Sequence, residues 1–574
     1  MNKLDTVIKA LKKLGLDESV KAETWRKSIR LTGSVDQWEQ KVKAGYAAAR
    51  KGFKGVINDI SVKGLKEEVI HTSSINDSRL DGLYFDVLIV GGGIIGCAAA
   101  RELSRYNVSI ALLEKEEDLA MQTSSRNDGM IHPGFASHKG TKKAHYNILG
   151  NRLYTQWSEE LGFELKRPGS LILFSNKWEK LAAPLCTLRA KKNGVDGNYR
   201  YISRKQVFEM EPNVTDEQHG GFFLPSAGII SPYKASIAMA ENAIENGAEL
   251  FLNTYVSSFD MDENRIHAVN TNRGTVRCGA LINCAGNFAD TVAGFADDRF
   301  FTLHGRKGTE CILDSNTGVL QKTILSMPNL FLRDRRTKGG GAVPCIEGNI
   351  LLGPTAEEQP WKEDFSTDRA SFKLLLNRLD LNKKLTNASV ITYFSGIRPA
   401  SWEEDFIIEP SETIRNLVHA AAIQSPGVAS APAIAIDVAK MAVDILSEEK
   451  KIDLRSDFNP RRNASYHRIT TIEERADAVK KNPEYGNIIC RCETISEQEI
   501  RDVLNGPIPV TSLDAIKRRI RAGAGRCHGG FCTPKVMEII SDHLSVSMLE
   551  ITKKGGHSTV LVGETKDNKG GFLE

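Results

Sequence analysis

The sequence predicts an α/β protein with a small helical domain at its C-terminal end, and three observations carry that expectation. From Tyr84 an apolar run, FDVLIV, leads into a glycine turn, a helical stretch and a second apolar run, VSIALLEK. From there to about residue 445, β-rich runs (SLILFS, ALINCAG, TECILD, NILLGP, DFIIEP) alternate unevenly with helical stretches, as in a mixed unit with an inserted sheet-rich domain. Finally, four of the ten cysteines crowd into the last hundred residues, among short helical stretches.

Composition narrows the classes of function. With 41% apolar and 26% charged residues the chain has the balance of a soluble globular protein, and its length of 574 residues asks for several domains. A net charge of +4 gives no reason to expect nucleic acid. The longest apolar run is broken by glycines and shorter than the roughly 20 residues of a membrane span, so no integral membrane segment is expected. The N-terminus has neither an apolar signal core nor the acid-free character of a transit peptide, and the expected compartment is the cytoplasm.

Residues 1–82 have helical periodicity in pieces, with Val7, Ile8, Leu11 and Leu14 on one face, and read as a helical extension ending in the polar linker HTSSINDSRLDG. Residues 83–446 form the α/β unit, 447–486 a charged connector, 487–545 the cysteine-bearing domain and 546–574 a glycine-rich tail.

In VGGGIIG, Gly91, Gly93 and Gly96 stand at G-x-G-x-x-G spacing after a strand and open a helix. The first allows the tight turn, the second lets a pyrophosphate approach the backbone, and the third lets helix pack on strand, while the helix N-terminus faces the phosphates with free N–H groups. The second strand ends at Glu114, where a carboxylate accepts hydrogen bonds from an adenosine ribose and disfavours a 2′-phosphate. FAD and NAD share this fingerprint. The next segment, EEDLAMQTSSRNDGMIHPGF, with Ser124, Ser125 and Asn127, suits an extended pyrophosphate and ribityl chain leading to a flavin.

Together with INCAG (Ala285, Gly286), GIRPAS (Gly396) and AAIQSPGVASAPAIA (Gly427, Val428), these stretches resemble the FAD-dependent oxidoreductases of the D-amino-acid-oxidase type over roughly residues 84 to 445. The resemblance implies a FAD-binding Rossmann-like domain with an inserted β-rich substrate domain; Val256 joins the expected cofactor contacts. SSRNDGMIHPG, RKGTECILD and TKGGGAVPCIEGNILLGPTAE are most similar to the branch containing glycerol-3-phosphate dehydrogenases and L-2-hydroxyglutarate oxidases. His304, where many members of that branch have proline, departs from the pattern and suggests a different local turn.

A flavin takes a hydride from a carbon bearing a hydroxyl or amine, so the protein supplies a base and an anchor for the rest of the substrate. Arg398 is the expected anchor of a small anionic substrate, because a guanidinium grips a carboxylate or phosphate through two parallel hydrogen bonds; the plainer alternative is an ion pair with Glu403 or Glu404. His132 is a candidate base. Lys307 and Lys338 are candidates for positive charge near the substrate or flavin.

Cys490 and Cys492 make C-x-C, and Cys527 and Cys532 make C-x4-C after an interval of 34 residues. The C-x-C half fits zinc knuckles poorly, whereas four thiolates suit a [2Fe–2S] cluster. Helical stretches SEQEIRDVL, SLDAIKRRIRAG and TPKVMEIISDHL surround them, and the unit resembles the bacterioferritin-associated-ferredoxin-like domain. A flavin unit followed by this unit resembles the catalytic subunits of anaerobic glycerol-3-phosphate dehydrogenases. That order implies sn-glycerol 3-phosphate oxidation with electrons leaving through the cluster to a quinone or a partner protein, peripheral to the membrane at most. Oxidation of a 2-hydroxy acid or amino acid, or a flavin and iron–sulfur subunit without its own substrate, remain open alternatives.

Overall fold

The computed structural model describes residues 2–327 and 340–563. Its first element group corrects the expected helical extension. Residues 3–62 form α1 (Lys3–Lys13), β1 (Val20–Trp25), β2 (Ser28–Val35), α2 (Trp38–Ala48) and β3 (Val56–Val62), a three-stranded sheet in the order β1-β2-β3 backed by two helices. The β1–β2 hairpin turns at Arg26, which takes φ 51°, so the turn lacks the Asn-Gly signature that marks such hairpins in a sequence. Val7 and Leu11 are buried as the helical periodicity requires, with Ile29, Leu31, Val56 and Ile60 beneath them. Trp402 completes this core from the α/β unit and so welds the two units together.

The dinucleotide-type half begins with β4 (Tyr84–Val90), α3 (Ile94–Leu103) and β5 (Ile110–Leu113), as expected. Chain order continues through α4 (Lys142–Leu161), α5 (Ala183–Asn193), α6 (Pro232–Glu245), β6 (Glu249–Phe251), β7 (Val256–Met261), β8 (Ile266–Thr271) and β9 (Gly274–Asn283). The sheet runs β6-β5-β4-β9-β8-β7, its central strands β6, β5, β4 and β9 parallel. β4 and β5 are apolar without alternation because α3, α6 and α7 cover one face and apolar residues of β7, β8 and β9, such as Phe259, Ile266 and Val276, pack against the other.

The second sheet is built on β10 (Leu303–Leu313) and β11 (Val390–Ser401), antiparallel along nearly their whole length. His304 lies within this regular ladder opposite Ala400, stacked on Trp402 with centroids 4.0 Å apart, so no altered turn forms there. The chain then returns to the first sheet through β12 (Ile407–Pro410) and β13 (Leu417–Ala421), which pairs with β9, and closes with α7 (Gly427–Ser447). α7 packs on both α3 and α4 over the central core.

The connector is sewn down rather than extended. Asn459 accepts from Asn242 and Asn246, and Arg462 and Tyr466 both reach Glu241 on α6. After α8 (Ile472–Lys481), the C-terminal domain consists of a small hairpin, α9 (Glu497–Leu504), α10 (Leu513–Ile520) and α11 (Thr533–Leu544) around its own apolar core. Among the described residues no helix is long and apolar enough to cross a membrane.

Candidate functional site

The turn between β4 and α3 is built as its glycines require. Gly91 takes φ 108°, and a Cβ there would lie 2.5 Å from the Cys284 carbonyl oxygen; one on Gly96 would lie 1.9 Å from the Gly91 carbonyl oxygen. Gly93 caps α3 without a side chain of its own, and Ser124 Oγ accepts from the first helical N–H, Ile94 N, at 2.9 Å. Glu114, at the end of β5, accepts from Gly92 N (2.6 Å) and Glu116 N (2.9 Å). Burial, together with the charge of Glu116, pushes its carboxyl up to about 7.

The remaining expected cofactor residues gather around this turn. Ala285 and Gly286 follow β9 beside Gly91, and Gly286, at φ 56°, has open space where a side chain would stand. Asn127 folds its own loop, donating to Ser124 O and accepting from Gly129 N, while Ser125 Oγ donates to Gln122 O. Val256 opens β7 two residues beyond Thr254, whose N–H bonds the Glu114 carbonyl. Gly427 and Val428 start α7, whose first turn likewise has no side-chain cap. The glycine turn at the start of α3, the buried carboxylate at the end of β5 and the α7 N-terminus without a side-chain cap of its own suit a flavin dinucleotide.

The β10–β11 ladder meets the loop around Ser124, where Thr123 and Asn287 donate to the Ile397 carbonyl. Gly308 and Gly396 stand opposite each other; a Cβ on Gly308 would lie 2.3 Å from Arg398 Nη2, and one on Gly396 would lie 2.2 Å from the Arg126 carbonyl oxygen. Arg398 donates to Thr355 O (3.1 Å). The ion pair with Glu403 or Glu404 does not form, because Glu404 is taken by Arg306, Lys143 and Tyr46. His132 Nε2 lies 3.4 Å from Ser425 Oγ, just before α7, and its carbonyl accepts from Asn147 and Asn151 of α4. Lys307 sits next to Arg306 on β10 and therefore faces the side opposite Arg398, where Asp364 (2.9 Å) and Ser366 (3.0 Å) hold its ammonium. Lys338 lies outside the described residues.

Several residues not anticipated from the sequence complete the site. Glu310, on the Arg398 face of β10, is buried with Oε2 unpartnered among the described residues, and burial and the nearby Asp128 hold its carboxyl far above the usual range despite Arg398. An acidic residue in the apolar run TECILD was its only sequence signal. Arg306, directly opposite Arg398, donates to Gln424 Oε1 (2.7 Å) and Glu358 (2.9 Å) and ties the loop before α7 to the sheet. Tyr46, from the N-terminal unit, inserts its hydroxyl among Arg306, Glu358 and Glu404.

The four thiols do converge. Cys490 and Cys492 Sγ are 4.0 Å apart and Cys492 and Cys527 3.7 Å; Cys532 lies against Cys490, whose hydrogen bond holds the Cys532 thiol below its usual range. Gly525 makes room, since a Cβ there would meet Cys492 Sγ at 2.5 Å. The contacts run in one chain from Cys532 through Cys490 and Cys492 to Cys527, and four thiolates brought together in this way suit a two-iron cluster. The surrounding loop is clamped to the α/β unit. Arg526 pairs with Asp314 at the end of β10, and Arg521 bridges Glu493 and Asn349. Asp118, four residues past Glu114 and fully buried, accepts from Arg518 (2.7 and 2.9 Å) and Arg519 (2.9 and 3.0 Å) of α10. Burial alone would raise the Asp118 carboxyl, but the two guanidiniums outweigh it and hold it at about 2.

Comparison with known proteins agrees with both parts. Residues 86–441 match the family model described as FAD dependent oxidoreductase, and residues 488–542 match that of the BFD-like [2Fe-2S] binding domain. The chain is 37% identical over 486 residues to the glycerol 3-phosphate dehydrogenase of Caloramator mitchellensis, covering 84% of this chain and 99% of that protein. It is 31% identical over 393 residues to the glycerol 3-phosphate oxidase of Mycoplasma genitalium, covering 66% and 99%. The dithionite-reduced L-alpha-glycerophosphate oxidase from Mycoplasma pneumoniae, solved with FAD bound, superposes with a TM-score of 0.60 at 28% identity, covering 68% of this chain and 100% of that one. The cofactors are therefore FAD and a [2Fe–2S] cluster.

Proposed function

This chain belongs to the FAD-dependent oxidoreductases, and from that premise we propose that it oxidises sn-glycerol 3-phosphate to dihydroxyacetone phosphate and passes the electrons through its C-terminal domain to a quinone or a partner protein. FAD, when bound, accepts a hydride, and a [2Fe–2S] cluster accepts electrons singly. Arg398 holds the substrate phosphate through its planar fork of N–H donors. His132, beside Ser425 at the start of α7, takes the hydroxyl proton as the C–H bond breaks.

The observation that carries this reading is the setting of Arg398. Its guanidinium donates to the Thr355 carbonyl, the carboxyl of its neighbour on the same sheet face, Glu310, is pushed well above the usual range by burial and Asp128, and Glu404 is claimed by Arg306. The remaining N–H donors of the fork suit an anionic substrate. The near-complete coverage of the Caloramator dehydrogenase favours a phosphorylated glycerol over a 2-hydroxy acid.

Anaerobic mixing with candidate substrates tests the proposal. Glycerol 3-phosphate is expected to bleach the flavin absorption. The reading fails if that absorption stays oxidised with glycerol 3-phosphate while L-2-hydroxyglutarate or an amino acid bleaches it. If none of them does, the chain is an electron-transfer subunit without a small-molecule substrate.

A further inference from the structure

The segment NKWEKLAAPLCTLRAKKN, which spans the turn before α5 and α5 itself, has its faces the wrong way round for an ordinary surface helix. The residues seated on the protein are small: Ala183, Cys186 and Ala190 pack against Phe135, Phe174 and Phe222. The large apolar ones face outward, with Trp178 75%, Leu181 65%, Leu185 68% and Leu188 46% exposed. Positions 181, 185 and 188 fall on one helical stripe. No other helix among the described residues exposes more than one large apolar side chain.

The charges around this ridge are of one sign. Lys177, Lys180, Arg189, Lys191 and Lys192 are all exposed. The single acid, Glu179, is turned inward and fully buried, accepting from Ser175 N (2.6 Å) and Oγ (2.9 Å).

We propose that this segment is a docking surface for an anionic phospholipid bilayer. The four apolar side chains enter the boundary between head groups and acyl chains, and the flanking lysines meet the lipid phosphates. A second copy of the chain is a poorer occupant, because a two-fold contact would set this cationic rim against itself. α5 is bonded to the segment just after His132: Arg189 donates to Ala136 O, and Asn193 to the carbonyls of Gly134, Phe135 and Ser137. A docked protein thus holds that edge of the candidate substrate site against the bilayer. The inference stands independently of which substrate is oxidised.

Sedimentation of the full-length, cofactor-loaded protein with vesicles tests it, comparing phosphatidylcholine alone with equal parts phosphatidylcholine and phosphatidylglycerol at near-physiological salt. Wild-type protein is expected to pellet with the anionic vesicles only. Leu185→Glu, and separately Lys191→Gln with Lys192→Gln, should weaken that binding at least about tenfold while flavin content and melting temperature stay unchanged. Brominated lipid should quench tryptophan emission in the wild type and not in Trp178→Phe. Equal behaviour toward the two vesicle compositions overturns the proposal, and so does wild-type binding by Leu185→Glu. A dimer that Leu185→Glu dissociates, with no lipid binding, assigns the surface to a second copy and overturns it equally.

Discussion

The two cofactor-bearing regions are assembled by opposite means. The nucleotide cradle is made largely of main chain: glycines at 91, 96, 308 and 396 leave no room for a Cβ, and neither α3 nor α7 has a side-chain cap from its own N-cap residue. The C-terminal domain is seated by side-chain charge, above all Asp118 against Arg518 and Arg519, partners 400 and 401 residues apart. Backbone cradles tolerate little variation because the contact is with atoms every residue has. Ion-pair seats depend on a few side chains, and removing one leaves a buried charge uncompensated.

That contrast makes ranked predictions. The largest effect belongs to the thiols: Cys492→Ser should abolish cluster iron and its visible absorption while FAD remains bound. A variant that keeps its iron removes Cys492 from the ligand set. Next comes the seat itself. Asp118→Asn should weaken docking of the C-terminal domain by about 3–5 kcal/mol, read as a separate calorimetric transition and faster proteolysis in the connector. Because the folded Asp118 carboxyl is depressed to about 2, its contribution is fully present above the unfolded value of about 3.9 and is lost as pH falls through about 2. Calorimetry across that window should show the C-terminal transition separating in the wild type as pH falls, and already separate at every pH in Asp118→Asn.

On the cradle side, Arg398→Ala should lower kcat/KM for glycerol 3-phosphate about 100-fold, the loss of two charge-assisted hydrogen bonds, with FAD content unchanged. Gly96→Ala should reduce FAD affinity at least about tenfold, since the added methyl displaces the Gly91 carbonyl and overpacks the turn. Tyr46→Phe should cost only about 1–2 kcal/mol of thermal stability, one hydroxyl being removed from a network that keeps its other members. If Tyr46→Phe perturbs catalysis more than Arg398→Ala does, the division of labour drawn between the two regions is wrong.

Much of the cradle was legible because its determinants are local. Gly91, Gly93, Gly96 and Glu114 lie within one βαβ unit, and the turn there admits few alternatives. The cysteine quartet was legible for the same reason in each half, C-x-C and C-x4-C. The N-terminal sheet was missed because its hairpin turns on Arg26 rather than on Asn-Gly, and Lys21, Glu23 and Arg30 break up the apolar character of its first two strands. Lys307 was expected to bring positive charge near the substrate or flavin because its strand resembles the family's, yet one step along that strand puts it on the face opposite Arg398, where it meets Asp364.

The sequence by itself therefore determined the flavin fold, the dinucleotide turn and the existence of a four-thiol centre, since each arises from backbone geometry or ligand spacing within a few residues. Only the tertiary structure decided which charges meet. Asp118 is one of 72 acidic residues and Arg519 one of 76 basic ones, and nothing in linear order pairs them. Packing decided the rest: it pushes the Glu310 carboxyl well above its usual range and seats the small residues of α5 inward while its leucines stay exposed. Each of these is set by the dielectric and packing around a side chain, which no short stretch of sequence specifies.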